Sequence, residues 1–361
     1  MVDFEGGYTV SSPGRVNLIG GHTDYTLGYV MPLATDLQTR LEATVSEDVH
    51  VSSSAVESSY SFATDDLEPV EDWVDYVKGC YAILQAAGYD PGGFRGDITT
   101  TLPIGAGLSS SASLELAVMA LLNEAYDLGL SRERMARLSQ RVENDYVGVA
   151  CGIMDQFAVA LGQDGHALSI DTETLTYTPV PFPDGIEILV FHTGVSRGLV
   201  ESAYNQRRET VEGALEKLDV DSSTAVTEAD LVGLPPRERE RLGYVVRENA
   251  RVQRAQAALE DGEIQTFGEI LLSAHQDIAD HYDASCKELD FVVETALEAG
   301  AYGARLTGAG WGGAAIAIVD TETVESVATS IEAAYREQFP EHDPHYYRIE
   351  ASDGVRVTRT G

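Results

Sequence analysis

The run Pro103-Ile-Gly-Ala-Gly-Leu-Ser-Ser-Ser-Ala-Ser113 constrains this chain more than any other stretch. It follows a strand-like segment, Gly96 to Leu102, that Pro103 closes. It precedes a helix in which Leu114, Ala117, Val118, Leu121, Leu122 and Ala125 recur at helical spacing, with Gly129 as its stop. Two glycines let the backbone approach an anion, the serines offer hydroxyls, and the free N–H groups of a helix start add partial positive charge. Taken alone, the run is either a phosphate cradle built without lysine or a Gly/Ser connection ending in a serine N-cap. It is not a P-loop, because none of the three lysines, Lys78, Lys217 and Lys287, follows such a glycine loop. Nor is it a dinucleotide fingerprint, because Ser110 stands where the third glycine belongs.

Around this run, strands and helices interleave. Leu41 to Val45 and Val49 to Val51 read as strands, Val74 to Ala87 as a helix ending at Gly88, and a further helix begins near Ser131. The segment Pro179 to Gly185, P-V-P-F-P-D-G, marks a boundary, giving domains at 1–183 and 184–361. Beyond it, Ile186 to Phe191 reads as a strand, Glu209 to Lys217 and Glu238 to Leu259 as helices, and Asp219 to Arg237 as a polar acidic connection. The end alternates again, with strands at Gly303 to Thr307, Ala314 to Val319 and Tyr346 to Ala351 and a helix at Thr323 to Gln338. The expected architecture is α+β, two layered domains sharing a cleft.

Charge narrows the setting. With 59 acidic residues against 24 basic ones the formal net charge is -35, which excludes nucleic acid as a partner. Lysine is scarce beside arginine, and carboxylates this crowded repel one another until molar salt shrinks the Debye length to about 3 Å. A high-salt cytoplasm, and with it halophilic behaviour, is the expected setting; the alternative is an ordinary acidic protein kept soluble by its charge. Cys80, Cys151 and Cys286 are odd in number and widely spaced, as reduced, buried cysteines are. No basic leader and no long apolar run appears, so a soluble cytoplasmic protein without membrane contact is expected, as a monomer or weak dimer.

Three more stretches carry chemistry. Pro13 to Tyr25 packs Arg15, Asn17, His22, Asp24 and Tyr25 around Val-x-Leu-Ile, a mixture suited to hydrogen-bonding a polyol, or else a polar turn with a satisfied histidine. In Cys151-Gly-Ile-Met-Asp-Gln-Phe157, Gly152 breaks the chain and Asp155 falls in the first turn of a helix, as a proton acceptor or a cap. Glu143, on the polar side of the preceding helix, is a candidate metal ligand or a solvated surface group. Gly308-Ala-Gly-Trp-Gly-Gly313 satisfies G-x-G-x-x-G but runs into a strand-like segment, so it reads as a glycine-rich hairpin rather than a Rossmann turn.

In chain order these four stretches resemble the motifs of the GHMP kinase superfamily, and within it the galactokinase family. Gly14 to Tyr25 resembles the galactokinase signature, Leu102 to Leu114 the phosphate loop, Cys151 to Phe157 the catalytic aspartate segment, and Leu306 to Gly313 the third motif. The resemblance implies an N-terminal domain like ribosomal protein S5 domain 2, a ferredoxin-like C-terminal domain, and ATP and sugar in the cleft, with transfer to an anomeric hydroxyl. It implies Asp155 as base beside Arg15, and His22, Asp24, Gly152 and Tyr204 on the sugar. It also implies Gly105, Gly107, Ser109 and Ser110 on the phosphates, Ser111 and Glu143 on Mg²⁺, and Trp73 in an adenine pocket. One position departs: Gly21 stands where the signature has a glutamate that binds a sugar hydroxyl. That departure admits galacturonate, fucose or arabinose beside galactose as the sugar, and a sugar- and ATP-binding regulator without turnover is the alternative from another class.

Overall fold

The computed structural model describes residues 6–195 and 200–360. The first half runs β1 (Gly7–Ile19), β2 (Tyr29–Ser46), β3 (Val49–Ser53), β4 (Ser58–Phe62), α1 (Val74–Ala86), β5 (Gly93–Thr100), α2 (Ser110–Ala125), α3 (Arg132–Arg141), α4 (Met154–Leu161), β6 (His166–Asp171) and β7 (Thr176–Pro181). The second half follows with β8 (Ile186–His192), α5 (Val200–Leu218), α6 (Pro236–Glu260), α7 (Ile264–Asp277), α8 (Lys287–Glu298), β9 (Gly303–Thr307), β10 (Ala314–Asp320), α9 (Val324–Gln338), β11 (His345–Ile349) and β12 (Arg356–Thr360).

Two sheets result. The first has the order β12-β1-β2-β5-β3-β4, with β6 pairing β2 and β7. The second has the order β11-β8-β10-β9, all antiparallel, and its strand–helix–strand–strand–helix–strand sequence is the ferredoxin-like arrangement expected. Period-2 alternation assigns the faces of this second sheet. Leu189 and Phe191 of β8 and Ala315, Ala317 and Val319 of β10 join a core with α8 and α9. The intervening Ile188, Val190, Ile316 and Ile318 join Val16, Leu18, Met31 and Leu33 of the first sheet, together with Val252 and Phe267 of α6 and α7. This shared apolar layer fixes one sheet against the other, and the cleft sits at its edge. A division at 183/184 does not separate the sheets completely, because β12 returns to pair with β1, Val10 opposite Val357.

Several local expectations shift. The helix expected from Ser113 begins at Ser110 and stops at Ala125, four residues before Gly129. The loop ends earlier because Ser109 adopts a left-handed conformation, φ 57°, that turns the chain straight into the helix. The run Pro13 to Tyr25 is strand as far as Ile19 and then turns, through Gly20 at φ 92° and His22 at φ 63°, into a short helical turn that begins at Asp24. Helices α7 and α8 occupy a stretch in which no element was expected. The connection 219–237 is not wholly solvated: Ser222 and Ser223 are buried and bond Leu27 O and Thr26 Oγ1, propping the turn that carries Asp24. Of the cysteines, none of which is bonded to another, Cys80 is buried whereas Cys151 and Cys286 are only partly so.

Candidate active site

The site begins with Arg15 on β1. A bulge between Pro13 and Arg15 interrupts the ladder to β2. Gly14 lets the phosphate loop cross against the strand, since a side chain there would meet Leu108 O at 2.6 Å, and Arg15 N donates to that same carbonyl. The buried guanidinium grips Asp155 of α4 in a two-pronged pair, Nε to Oδ1 and Nη2 to Oδ2, each 2.7 Å, while Nη1 donates to Gly107 O at 2.6 Å. Such bidentate contacts fix orientation as well as charge. Asp155 does not cap its helix; its other partner is Ser109, whose hydroxyl donates to Oδ2. The Ser109 side chain, expected on phosphate or as an N-cap, is therefore turned toward the carboxylate.

Behind the loop, Gly105 and Gly107 have φ of 81° and 79°, and the free amides at the start of α2 face the same cavity. Ser111 Oγ donates to Glu143 Oε1 at 2.7 Å. Glu143 belongs to a π-helical turn, Val142–Val147, that follows α3 and swings it inward, so it is buried rather than solvated. Burial, the largest effect, pushes its carboxyl upward, and the Asp155 charge adds to this. Beneath it, Ser139 donates to the fully buried Glu115, whose carboxyl burial raises far above the usual range. Ser111 lines the cavity and Glu143 lies directly behind it, and a hydroxyl beside a carboxylate oxygen suits Mg²⁺, which prefers few protein ligands. The residues thus fit a magnesium nucleotide.

The other end is lined by the β1–β2 turn. Asp24 faces Gly152 so closely that a Cβ at 152 would stand 1.9 Å from Asp24 Oδ2. Burial and, next, the charge of Asp155 raise the Asp24 carboxyl to about 6. His22, at φ 63°, has both ring nitrogens engaged, Nε2 with Ala309 O at 2.9 Å and Nδ1 with Tyr25 Oη at 3.1 Å. Its Nε2 therefore carries the hydrogen, and Nδ1 accepts from Tyr25. Burial holds this imidazole neutral, its pKa lowered to about 4. Tyr204 of α5 lies 5.4 Å from the His22 ring and 5.6 Å from that of Tyr25. The third motif forms the β9–β10 hairpin, and the Gly308 Cα faces Gly107 O, 4.0 Å from where a Cβ would stand.

One cavity of about 570 Å³ unites Arg15, His22, Asp24, Gly105, Gly107, Ser109, Ser110, Ser111, Gly152, Asp155 and Tyr204. The chain matches the GHMP kinases N terminal domain over residues 75–163, the GHMP kinases C terminal domain over 255–337, and the galactokinase galactose-binding signature over 3–45. It is 52% identical to a galactokinase of Thermococcus kodakarensis, covering 96% of this chain and 99% of that one. Identity to a galactokinase of Pyrococcus furiosus is 48%, over 97% and 99%. A crystal structure of Lactococcus lactis galactokinase complexed with galactose superposes with a TM-score of 0.92 at 34% identity, over 98% of this chain and 96% of that one.

This chain belongs to the galactokinase family. It is a sugar kinase with the two-domain GHMP kinase fold. Against the family's pattern, Trp73 stands apart: it does not line the cavity, and it donates from Nε1 to Ser58 Oγ and meets Tyr60 edge-on. Sequence reasoning missed the contacts that brace the galactokinase sugar loop from behind. Tyr282 Oη meets Tyr25 Oη at 2.6 Å, and Glu248 Oε1 accepts from Gly20 N and Gly21 N. Neither carries a local signal, since each lies more than 200 residues from its partner. No helix of the described residues is long and apolar enough to cross a membrane.

Proposed function

We propose that this galactokinase-family enzyme transfers the γ-phosphoryl group of ATP to the anomeric hydroxyl of galactose, in a salty cytoplasm. The observation that carries the reading is the Arg15–Asp155 clamp, which faces the amides of the phosphate loop within one cavity. Asp155 accepts the proton of the anomeric hydroxyl as its oxygen attacks phosphorus. The bond between the γ-phosphorus and the bridging oxygen breaks, and ADP keeps that electron pair. Arg15 keeps Asp155 oriented and offsets charge on the moving phosphoryl group. Gly105, Gly107 and the first amides of α2 receive the phosphates, with Ser110 beside them. Held by Ser111 and Glu143, Mg²⁺ would supply neutralisation of the phosphate charge.

Asp24, Tyr204 and the Gly152 backbone hold the sugar. His22 serves it by position, pinning the third motif to the sugar loop through Ala309 O. The test is Asp155→Asn assayed by ADP release with galactose and ATP in molar KCl. Turnover is expected to fall by at least about a hundredfold, the usual worth of a positioned proton acceptor, while galactose binding measured by calorimetry persists. Unimpaired turnover in that variant would refute the base assignment, and loss of galactose binding would recast Asp155 as a sugar ligand.

A further inference from the structure

Glu115 is a buried carboxyl to which the mechanism above gives no task. It stands on α2 and meets α3 through Ser139, whose Oγ donates to its Oε2 at 2.5 Å. Its Oε1 is also buried and has no hydrogen-bond partner among the described residues. An unpartnered buried oxygen costs stability, and an apolar side chain of similar volume would avoid that cost. Packing alone therefore accounts poorly for a glutamate here. Unsatisfied groups of this kind concentrate where a site is being built.

Its neighbours show what it serves. Ser111 and Glu115 stand four residues apart on α2 and so share one face of that helix. Ser139 and Glu143 stand four apart where α3 passes into the π-helical turn. The two pairs are crossed: Ser111 of α2 donates to Glu143, and Ser139 of α3 donates back to Glu115 of α2. The outer link reaches the cavity through Ser111, whereas both members of the inner link are fully buried. One link would act as a pivot about which the helices could swing; two links a helical turn apart, about 6 Å along α2, fix rotation as well as distance. The inner link also grips α3 in its last turn before the π-helical turn, an irregular geometry that contacts outside the helix must hold. Beyond that turn, Gly148 N and Val149 N both donate to Glu143 O at 2.8 Å, so the backbone of Glu143 is held from the other side.

We propose that Glu115 and Ser139 are positioning residues, whose buried link sets Glu143 against Ser111 and thereby tunes the affinity of that pair for a divalent cation. This rests on the placing of Mg²⁺ at Ser111 and Glu143 in the reading above. Neither Glu115 nor Ser139 touches the cation or the reacting atoms. Groups that orient a metal ligand from behind contribute about 10- to 100-fold to metal affinity, and the inner link, one step further back, belongs at the lower end of that range.

The experiment titrates Mn²⁺, a paramagnetic substitute for Mg²⁺, into the full chain bound to a non-hydrolysable ATP analogue and follows free Mn²⁺ by electron paramagnetic resonance, so that no turnover is needed. Galactose binding is measured in parallel by calorimetry. Ser139→Ala and Glu115→Met should each weaken Mn²⁺ binding about tenfold and leave galactose binding unchanged, whereas Glu115→Gln, which keeps an acceptor of the same shape for Ser139, should bind Mn²⁺ like the wild type. Joining Ser139→Ala to Glu115→Met should weaken Mn²⁺ no further than either alone, because both break one link. Wild-type Mn²⁺ affinity in a folded Ser139→Ala overturns the proposal, and so does a parallel loss of Mn²⁺ and galactose binding, which would mark a merely structural contact. Ser139→Ala and Glu115→Gln decide the question even where Glu115→Met fails to fold. Glu143→Gln is the control: wild-type Mn²⁺ affinity there would instead refute the placing of the metal on which the inner link depends.

Discussion

The substitution Gly152→Ala tests the geometry of the sugar site most directly. A methyl group at 152 would sit 1.9 Å from Asp24 Oδ2 and 2.3 Å from Asp24 Cγ. Side-chain carbons do not approach other atoms below 3.0 Å, so the carboxylate must retreat by more than 1 Å. Hydrogen bonds tolerate only a few tenths of an ångström, and a bond from a sugar hydroxyl to Asp24 would be lost. Hydrogen bonds to a charged group contribute about 1.5–3 kcal/mol, which corresponds to a rise of roughly 10- to 150-fold in KM for galactose. KM for ATP should hold, because the phosphate loop lies on the other side of Asp155.

Steady-state kinetics with a coupled ADP assay reads the effect, and a thermal melt checks that the variant is folded. The decisive arm repeats the substitution in an Asp24→Ala background. There the methyl group has no carboxylate to displace, so Gly152→Ala should add almost nothing. An undiminished penalty in that background, or a wild-type KM in the single variant, would refute the argument that Gly152 acts by making room for Asp24.

Acidification should act through Asp24: as pH falls through about 6 its carboxylate protonates and KM for galactose rises, and Asp24→Asn should flatten that dependence. Stability responds with opposite signs at neighbouring groups. The raised Asp24 pKa favours the fold below 3.8 and loses that contribution as pH rises through about 6, whereas the lowered His22 pKa costs stability as pH falls from 6.5 through about 4. Melts of Asp24→Asn across this range should therefore be more acid-labile than wild type. Glu143→Gln and Ser111→Ala should each raise the Mg²⁺ concentration for half-maximal rate about 10- to 100-fold without changing galactose binding, and chelation should stop turnover while sugar still binds. With a net charge of -35, the melting temperature should climb by several degrees between dilute buffer and molar KCl; a flat response would argue against the halophilic reading.

Much of this was legible in one dimension because its chemistry is local. The phosphate loop needs glycines at consecutive turns and a helix immediately after, and positions 103–113 spell that out. The β9–β10 hairpin was likewise distinguishable from a Rossmann turn by the alternation that follows it. What remained hidden is what depends on distance or on backbone irregularity. Nothing near residue 143 announces a π-helical turn, so periodicity left Glu143 between surface and site. Nothing near Ser109 reveals that its hydroxyl meets a carboxylate 46 residues away instead of capping its own helix. Trp73 was placed by resemblance alone, and its partners prove to be Ser58 and Tyr60. Glycines divided according to cause: Gly105 is recognisable from its turn, whereas Gly152 is glycine because of Asp24, a neighbour only in three dimensions.

The scarcity of lysine takes on a second meaning once the arginines are placed. Arg15, Arg207, Arg241, Arg251 and Arg305 are all buried, and each binds another segment: Arg15 holds Gly107, Arg207 holds Tyr282 and Asp283, Arg241 holds His281, Arg251 holds Asp277, and Arg305 holds Glu248. A planar fork of donors can tie a carboxylate and a carbonyl at once, which a single ammonium on a flexible stem does poorly. The acidic excess sits in solvent, where salt screens it, whereas these guanidiniums lie where counterions scarcely reach. Salt can thus govern whether the chain stays folded while leaving the electrostatics of the Arg15–Asp155 clamp nearly unchanged. Separating the two in this way lets a sugar kinase keep the Arg15–Asp155 pair intact inside a strongly anionic molecule.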